Sequence, residues 1–120
     1  MIRLAGFFGL TGVALGAFGA HGLRERLGPG MLEVYRTGVL YQLIHAVALL
    51  AVALGAARLR RPRAVAALFT AGIVIFSGSL YALALTEVRL LGAITPVGGL
   101  AFMAGWVVLL LERSPPAPTT

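Results

Sequence analysis

Four long uncharged runs dominate this sequence and limit what the chain can fold into. They cover residues 4–23, 37–57, 64–86 and 90–111, and each is about 20 residues long or slightly longer. A helix of about 20 apolar residues, rising 1.5 Å per residue, crosses the roughly 30 Å of hydrocarbon in a bilayer. Because lipid offers the backbone no hydrogen-bond partner, each run is predicted to be helical. The sequence therefore predicts an all-α membrane protein, a bundle of four transmembrane helices.

Composition supports the membrane class and argues against several others. Only 12% of the residues are charged, 59% are hydrophobic and the mean hydropathy is +0.95, whereas a soluble domain has about 25% charged residues. The chain has no Cys, so neither a disulfide framework nor a thiolate metal site is expected. The net charge of +6 comes from arginines that lie between apolar runs, so nucleic acid is not an expected partner.

The charged segments between the runs set the predicted boundaries. Helices are expected at about 3–22, 34–57, 64–86 and 91–111, within one transmembrane domain over residues 1–113. The first run is longer than the apolar core of a signal peptide, so it is predicted to be retained as a helix. The Pro-rich tail, residues 114–120, is predicted to be extended and disordered.

The distribution of arginine predicts how the bundle is oriented. The side that carries the N-terminus, the second loop and the C-terminus holds six of the ten arginines. Four of these lie in the second loop without an acidic neighbour: Arg58, Arg60, Arg61 and Arg63. The positive-inside rule therefore predicts that both termini are cytoplasmic, and the loop is also expected to contact anionic lipid headgroups.

Small residues are the predicted means of helix packing. Lipid tails are as apolar as Leu, so close backbone approach and hydrogen bonds between helices must hold the bundle together. The candidate packing residues are Gly12, Gly16, Gly19, Gly78, Gly98, Gly99 and Gly105. Packing within one chain is the simpler interpretation. The glycine-rich faces also leave room for a homo-oligomer or a larger membrane complex.

Polar residues within the runs are predicted to gather in the outer half of the bundle. They are His21, Tyr41, Gln42, His45, Ser77, Ser79, Tyr81 and Thr95. One interpretation is a packed hydrogen-bond network between helices. The other is a small outward-open pocket around His45 that takes a ligand, a proton or a lipid headgroup.

Other chemistries have weaker support in the sequence. A haem or metal site would need His21 and His45 together, but their expected depths differ and no acidic ligand lies nearby. A hydrolase built on Ser77 or Ser79 would lack an Asp to orient the histidine. We therefore predict no catalytic residue, cofactor or metal. Trp106 and Tyr35 are predicted to be interface anchors.

Several short motifs resemble the YgdD-like family, also called the domain of unknown function 423, which includes animal transmembrane protein 256. They are GAFGAHGL at 16–23, TG at 37–38 with YQ at 41–42 and HA at 45–46, FSGSLY at 76–81, TP at 95–96 with GG at 98–99, and AGW at 104–106. The resemblance covers about residues 6–111. It implies a small multi-pass protein of the bacterial inner membrane and supplies no activity.

The leading prediction for function is a non-enzymatic membrane protein with a structural, assembly or complex-forming role. The alternative is a small transporter, channel or lipid- or ligand-binding protein that uses the pocket around His45. A haem or redox protein with histidine ligands is a third and weaker alternative.

Overall fold

A computed structural model describes residues 1–113 and shows a helical chain without strands in that range. Its four helices that are long and apolar enough to cross a membrane are α1 (Ile2–Leu23), α2 (Pro29–Leu54), α3 (Pro62–Thr86) and α4 (Arg89–Leu110). The predicted fold class, an all-α bundle with four membrane-spanning helices, is confirmed. The tail predicted to be disordered, 114–120, lies outside the described residues.

The helices depart from regular α geometry at three places. The end of α1, Gly19–Leu23, is π-helical, and so is the middle of α3 at Ile73–Ser77. The first turns of α4, Arg89–Ala93, form a 3₁₀-helix before the α-helix Thr95–Leu110 begins. A π-helical turn changes the direction of the residues beside it relative to a regular helix. In α3 this turn includes Phe76 and Ser77, which contact α4 and α2 respectively.

Proline defines the starts of two helices. Pro29 and Pro62 occupy the first turns of α2 and α3, where the missing N–H costs no hydrogen bond. Helix α2 therefore begins at Pro29 rather than near residue 34, and it ends at Leu54, before a short 3₁₀-helix at Ala56–Arg58. Each residue of α2 is consequently further from the start of the helix than the run of uncharged residues alone suggests.

Helix α3 ends at a residue in the left-handed conformation. Glu87 has φ 57° and ψ 20°, and its N–H donates to the carbonyl of Leu83 over 2.7 Å. Glycine is the usual residue at this position of a helix C-terminus because it has no Cβ to clash. The chain turns here toward α4.

Two apolar clusters form the interior. Helix α1 packs on α2, α3 packs on α4, and α2 contacts α3. The larger cluster lies toward the end of the bundle that carries the N-terminus: Ala5, Phe8, Ala46, Leu49, Val52, Val65, Ala66, Phe69, Ile73 and Phe102. The smaller one, formed by Leu23, Tyr35 and Ala84, lies toward the opposite end.

Glycines bring α3 and α4 into close contact. A Cβ added to Gly98 would clash with the backbone nitrogen of Phe76, and one added to Gly105 would lie 2.5 Å from the Phe69 ring. Gly72 faces the ring of Phe102 in the same way. These positions let rings and backbone of one helix fill the space beside the other, which is how small residues stabilise membrane helix pairs.

Glycines of α1 make the contact with α2. An added Cβ on Gly12 would lie 2.7 Å from Leu43, and one on Gly16 would lie 3.2 Å from Val39. Gly19 leaves room for the ring of Tyr35.

The remaining candidate packing glycines contribute less. An added Cβ on Gly99 would be in ordinary contact with the Phe76 ring at 3.8 Å, and one on Gly78 would meet nothing within 4 Å. Gly78 is therefore not a close-packing position among the described residues, because it faces away from the neighbouring helices.

Candidate functional site

His45 lies buried between α2 and α4 with both ring nitrogens in hydrogen bonds. Its Nδ1 is 2.8 Å from the carbonyl oxygen of Tyr41, and its Nε2 is 3.0 Å from Nε1 of Trp106. An indole N–H can only donate, so Nε2 is the acceptor. The hydrogen of the neutral ring is therefore on Nδ1, which donates to the Tyr41 carbonyl.

Aromatic rings enclose the imidazole. The ring of His45 stacks on Phe102 with centroids 3.6 Å apart and an interplanar angle of 12°. Phe69 meets it edge-on at 5.2 Å, and Trp106 does so at 5.9 Å. Apart from its two hydrogen-bond partners, the surrounding of the ring is therefore apolar.

Gln42 joins three helices through its side-chain amide. Its Nε2 donates to the carbonyl oxygen of Phe8 over 3.0 Å and to Oγ1 of Thr11 over 2.8 Å, both on α1. Its Oε1 accepts a hydrogen bond from the Tyr81 hydroxyl of α3 over 2.6 Å. The amide is buried, so these bonds satisfy groups that would otherwise be costly to hold in an apolar interior.

The serines of α3 make two further links between helices. Ser77 donates to the carbonyl oxygen of Gly38 on α2 over 2.7 Å. Ser79 lies 2.6 Å from the hydroxyl oxygen of Thr95 on α4 and donates to the Phe76 carbonyl at 2.9 Å. Each hydroxyl is thus within hydrogen-bond distance of a partner on a neighbouring helix.

Two predicted members of the polar cluster take other positions. His21 is exposed in the π-helical end of α1 and lies apart from His45. Tyr41 is 39% exposed, and its ring contacts Phe76 and Phe102 at centroid distances of 4.6 and 6.1 Å. The structure therefore brings together Gln42 with Tyr81, Ser79 with Thr95, and His45 with Trp106.

His45 lies further from the start of α2 than the other predicted polar residues of that helix. With α2 beginning at Pro29, His45 lies about 24 Å from the start of the helix and about 13 Å from its end at Leu54. Its partner Trp106 is likewise close to the end of α4 at Leu110. The polar groups of α2 form a series along the helix, from Tyr35 through Gln42 to His45.

Sequence reasoning missed three members of this network: Thr11, Tyr35 and Trp106. Tyr35 is only 1% exposed, and its hydroxyl donates to the carbonyl oxygen of Leu15. The interpretation of Tyr35 as an interface anchor was therefore wrong. The spacing of Tyr35 from Gly38, Gln42 and His45 places all four on one helical face, and that signal identifies Tyr35 as an interior residue.

The chemistry open to this arrangement follows from its hydrogen bonds. Among the described residues, Thr70 Oγ1 is the one buried side-chain nitrogen or oxygen without a hydrogen-bond partner. Ser77 donates to a backbone carbonyl and not to His45, so the pair lacks the contact that nucleophile activation requires. Neither nitrogen of His45 has a free lone pair for an iron ion.

A second polar cluster lies at the end of the bundle that carries the N-terminus. The carboxylate of Glu112, just past α4, accepts hydrogen bonds from the backbone N–H groups of Arg60 (3.1 Å to each oxygen) and Arg61 (3.4 Å). The side chains of Arg58, Arg60, Arg61 and Arg63 are exposed at this surface. The loop is thus fixed to the end of α4 while its guanidinium groups face outward.

Known proteins that resemble this chain are membrane proteins. The model of a family described as "Protein of unknown function (DUF423)" matches residues 15–99. The UPF0382 membrane protein YwdK of Bacillus subtilis is 45% identical over 113 residues, which is 92% of each chain. A UPF0382 membrane protein of Haemophilus influenzae is 46% identical over 110 residues, covering 91% of this chain and 86% of the relative.

A third relative carries a more specific name. The UPF0382 inner membrane protein YgdD of Escherichia coli is 41% identical over 116 residues, covering 92% of this chain and 86% of the relative. No solved structure matches this chain. The similarity to these relatives extends over all four membrane-spanning helices.

Proposed function

Because the chain belongs to the family of proteins of unknown function designated DUF423, whose relatives are named as membrane proteins, we propose a structural and assembly role for it. In this proposal the protein is a non-enzymatic component of the bacterial inner membrane that associates with a second copy of itself. The name of the Escherichia coli relative supports the inner membrane as its location. The arginines of residues 58–63 support a cytoplasmic position for that loop and for both termini.

The observation that carries this proposal is that the buried polar side chains of the network are hydrogen-bonded to groups within the bundle. Gln42, Ser77 and His45 each use their polar atoms within the bundle. A ligand or transported ion would have to break these bonds, so the network supports a packing role more than a pocket around His45. The surface that remains for function is then the apolar exterior of the helices.

One part of that exterior favours self-association. A groove of about 430 Å³ runs between α1 and α2. Gly6 and Gly9 line it, and an added Cβ on either would meet nothing within 4 Å, unlike on Gly12 or Gly16. Glycines that face open space beside a groove let the backbone of another helix approach closely. In lipid, such close backbone contact is what holds two helices together.

Cysteine cross-linking in the membrane tests this proposal, because the chain has no Cys of its own. Val13 lines the groove and is 62% exposed, whereas Met103 of α4 is 57% exposed and does not line it. We expect oxidation to convert Val13→Cys into a covalent dimer and to leave Met103→Cys monomeric. Equal cross-linking of the two variants, or none at Val13→Cys, would contradict self-association through α1.

A matched pair of substitutions strengthens the test. Gly9→Leu fills the open groove, while Ala14→Leu adds a similar volume to an exposed position outside the residues that line it. Combined with Val13→Cys, the first should abolish the cross-link and the second should preserve it. Native mass spectrometry from mild detergent then reports whether a dimer or a larger complex is present.

A further inference from the structure

We propose that a lateral groove between α2 and α4 binds one anionic glycerophospholipid of the surrounding bilayer, with its phosphate on Arg58 and an acyl chain beside Trp106. The groove has a volume of about 280 Å³. It is lined by Ala48, Ala51, Val52, Gly55, Arg58, Leu59, Trp106 and Leu109. This site is separate from the α1 surface and does not depend on self-association.

The shape of the groove suits an acyl chain. Ala48, Ala51 and Gly55 line one side and recur at intervals of three and four residues, so they lie on one face of the chain at the end of α2. Their small side chains leave a hollow beside Trp106 and Leu109 of α4. Apart from the arginine, the lining is apolar, as hydrocarbon requires.

The arginines at the mouth of the groove favour an anionic headgroup. Arg58 is exposed and lies just past the last residue of α2, Leu54, where a spanning helix meets the membrane surface. The segment 58–63 has four arginines and no acid. The nearby carboxylate of Glu112 is held by backbone N–H groups of Arg60 and Arg61. Four arginines against this one carboxylate leave an excess of positive charge, so an anionic headgroup meets a positive surface at the mouth of an apolar groove.

Two other lateral grooves lack this combination. The one between α1 and α2, of about 430 Å³, has no charged residue in its lining. The one beside α3, lined by residues that include Leu4, Thr70 and Ile75, has none either. Lipid tails can fill these surfaces without preference for a headgroup. The α2–α4 groove is distinguished by an arginine at one end and an aromatic ring along its wall.

Trp106 contributes an apolar wall despite its polar nitrogen. The indole is 46% exposed, but its N–H donates inward to His45. The rest of the ring is therefore what the groove presents to a lipid. Since the chain has a single Trp, its fluorescence reports directly on the occupant of this groove.

Fluorescence quenching by brominated lipid provides the test. The full-length protein is reconstituted in vesicles of phosphatidylcholine with a low, fixed fraction of phosphatidylglycerol. Bromine is placed on the acyl chains of the anionic lipid in one sample and on an equal amount of phosphatidylcholine in the other. If the groove selects an anionic lipid, quenching of Trp106 should be about twofold stronger in the first sample. Equal quenching in both samples would overturn the proposal.

Matched variants locate the site. Arg58→Gln should remove the excess quenching by the anionic lipid, whereas Arg89→Gln, at the exposed first residue of α4, should keep it. Ala51→Leu fills the groove and should reduce quenching by the anionic lipid while helicity by circular dichroism is unchanged. Persistence of the full excess in Arg58→Gln, or in folded Ala51→Leu, would also overturn the proposal.

Discussion

The indole N–H of Trp106 donates to Nε2 of His45 over 3.0 Å, joining residues 61 positions apart in the chain. The bond links α4 to α2 and leaves the histidine with its second nitrogen bonded to the Tyr41 carbonyl. It makes a tryptophan near the end of a membrane-spanning helix part of the interior network. The predicted role of Trp106 as an interface anchor therefore leaves out its principal contact.

Trp106→Phe should lower the free energy of unfolding by about 1 kcal/mol, because it keeps an aromatic ring but removes the donor to His45. Equilibrium unfolding in mixed detergent micelles measures the change. The double-mutant cycle with His45→Phe should give a coupling of similar size, since the two side chains share one bond. Additive effects of the two substitutions would show that the bond does not contribute.

Gly98→Ala should destabilise the bundle by about 1–3 kcal/mol, the usual cost of overpacking an interior. The added methyl group would clash with the backbone of Phe76, and backbone in a helix cannot move aside cheaply. The neighbouring variant Gly99→Ala is the control, since its Cβ would make an ordinary contact, 3.8 Å from the ring of Phe76. Thermal unfolding in detergent should separate the two variants, and similar unfolding temperatures would contradict this account of the α3–α4 contact.

Gln42→Leu should cost about 2 kcal/mol or more, because it removes bonds to Phe8, Thr11 and Tyr81 together. Tyr81→Phe removes one of these bonds and should cost about 1 kcal/mol. The control is Thr86→Val, which loses two exposed bonds, to the Ala82 carbonyl and from the Val88 N–H, and should change stability little. Denaturant titration compares the three variants. An order other than Gln42→Leu, then Tyr81→Phe, then Thr86→Val would count against the network.

Glu87→Gly should raise the free energy of unfolding by about 1 kcal/mol, because glycine adopts the left-handed conformation without a Cβ clash. Glu87 has φ 57° at the end of α3. Glu33→Gly provides the control, since Glu33 is exposed within helix α2 and glycine there should lower stability by about 1 kcal/mol. Opposite signs for the two variants in the same unfolding assay are the expected result.

Much of the site could be read from sequence spacing, but its partners could not. The shared face of Gly38, Gln42 and His45 follows from helical periodicity alone. The partners of these residues depend on how the helices pack. His45 bonds to Trp106 of α4, whereas His21 is exposed at the end of α1.

The sequence by itself determined that this protein has four membrane helices. Uncharged runs of about 20 residues can satisfy their backbone in lipid only as helices. Tertiary structure alone decided which chemically identical residues face inward. Gly12 packs on Leu43, while an added Cβ on Gly6 of the same helix would meet nothing within 4 Å. Apolar helix faces are equivalent toward lipid, so the sequence does not fix which face turns inward. The rotation of each helix depends instead on the close contacts and hydrogen bonds that its neighbours supply.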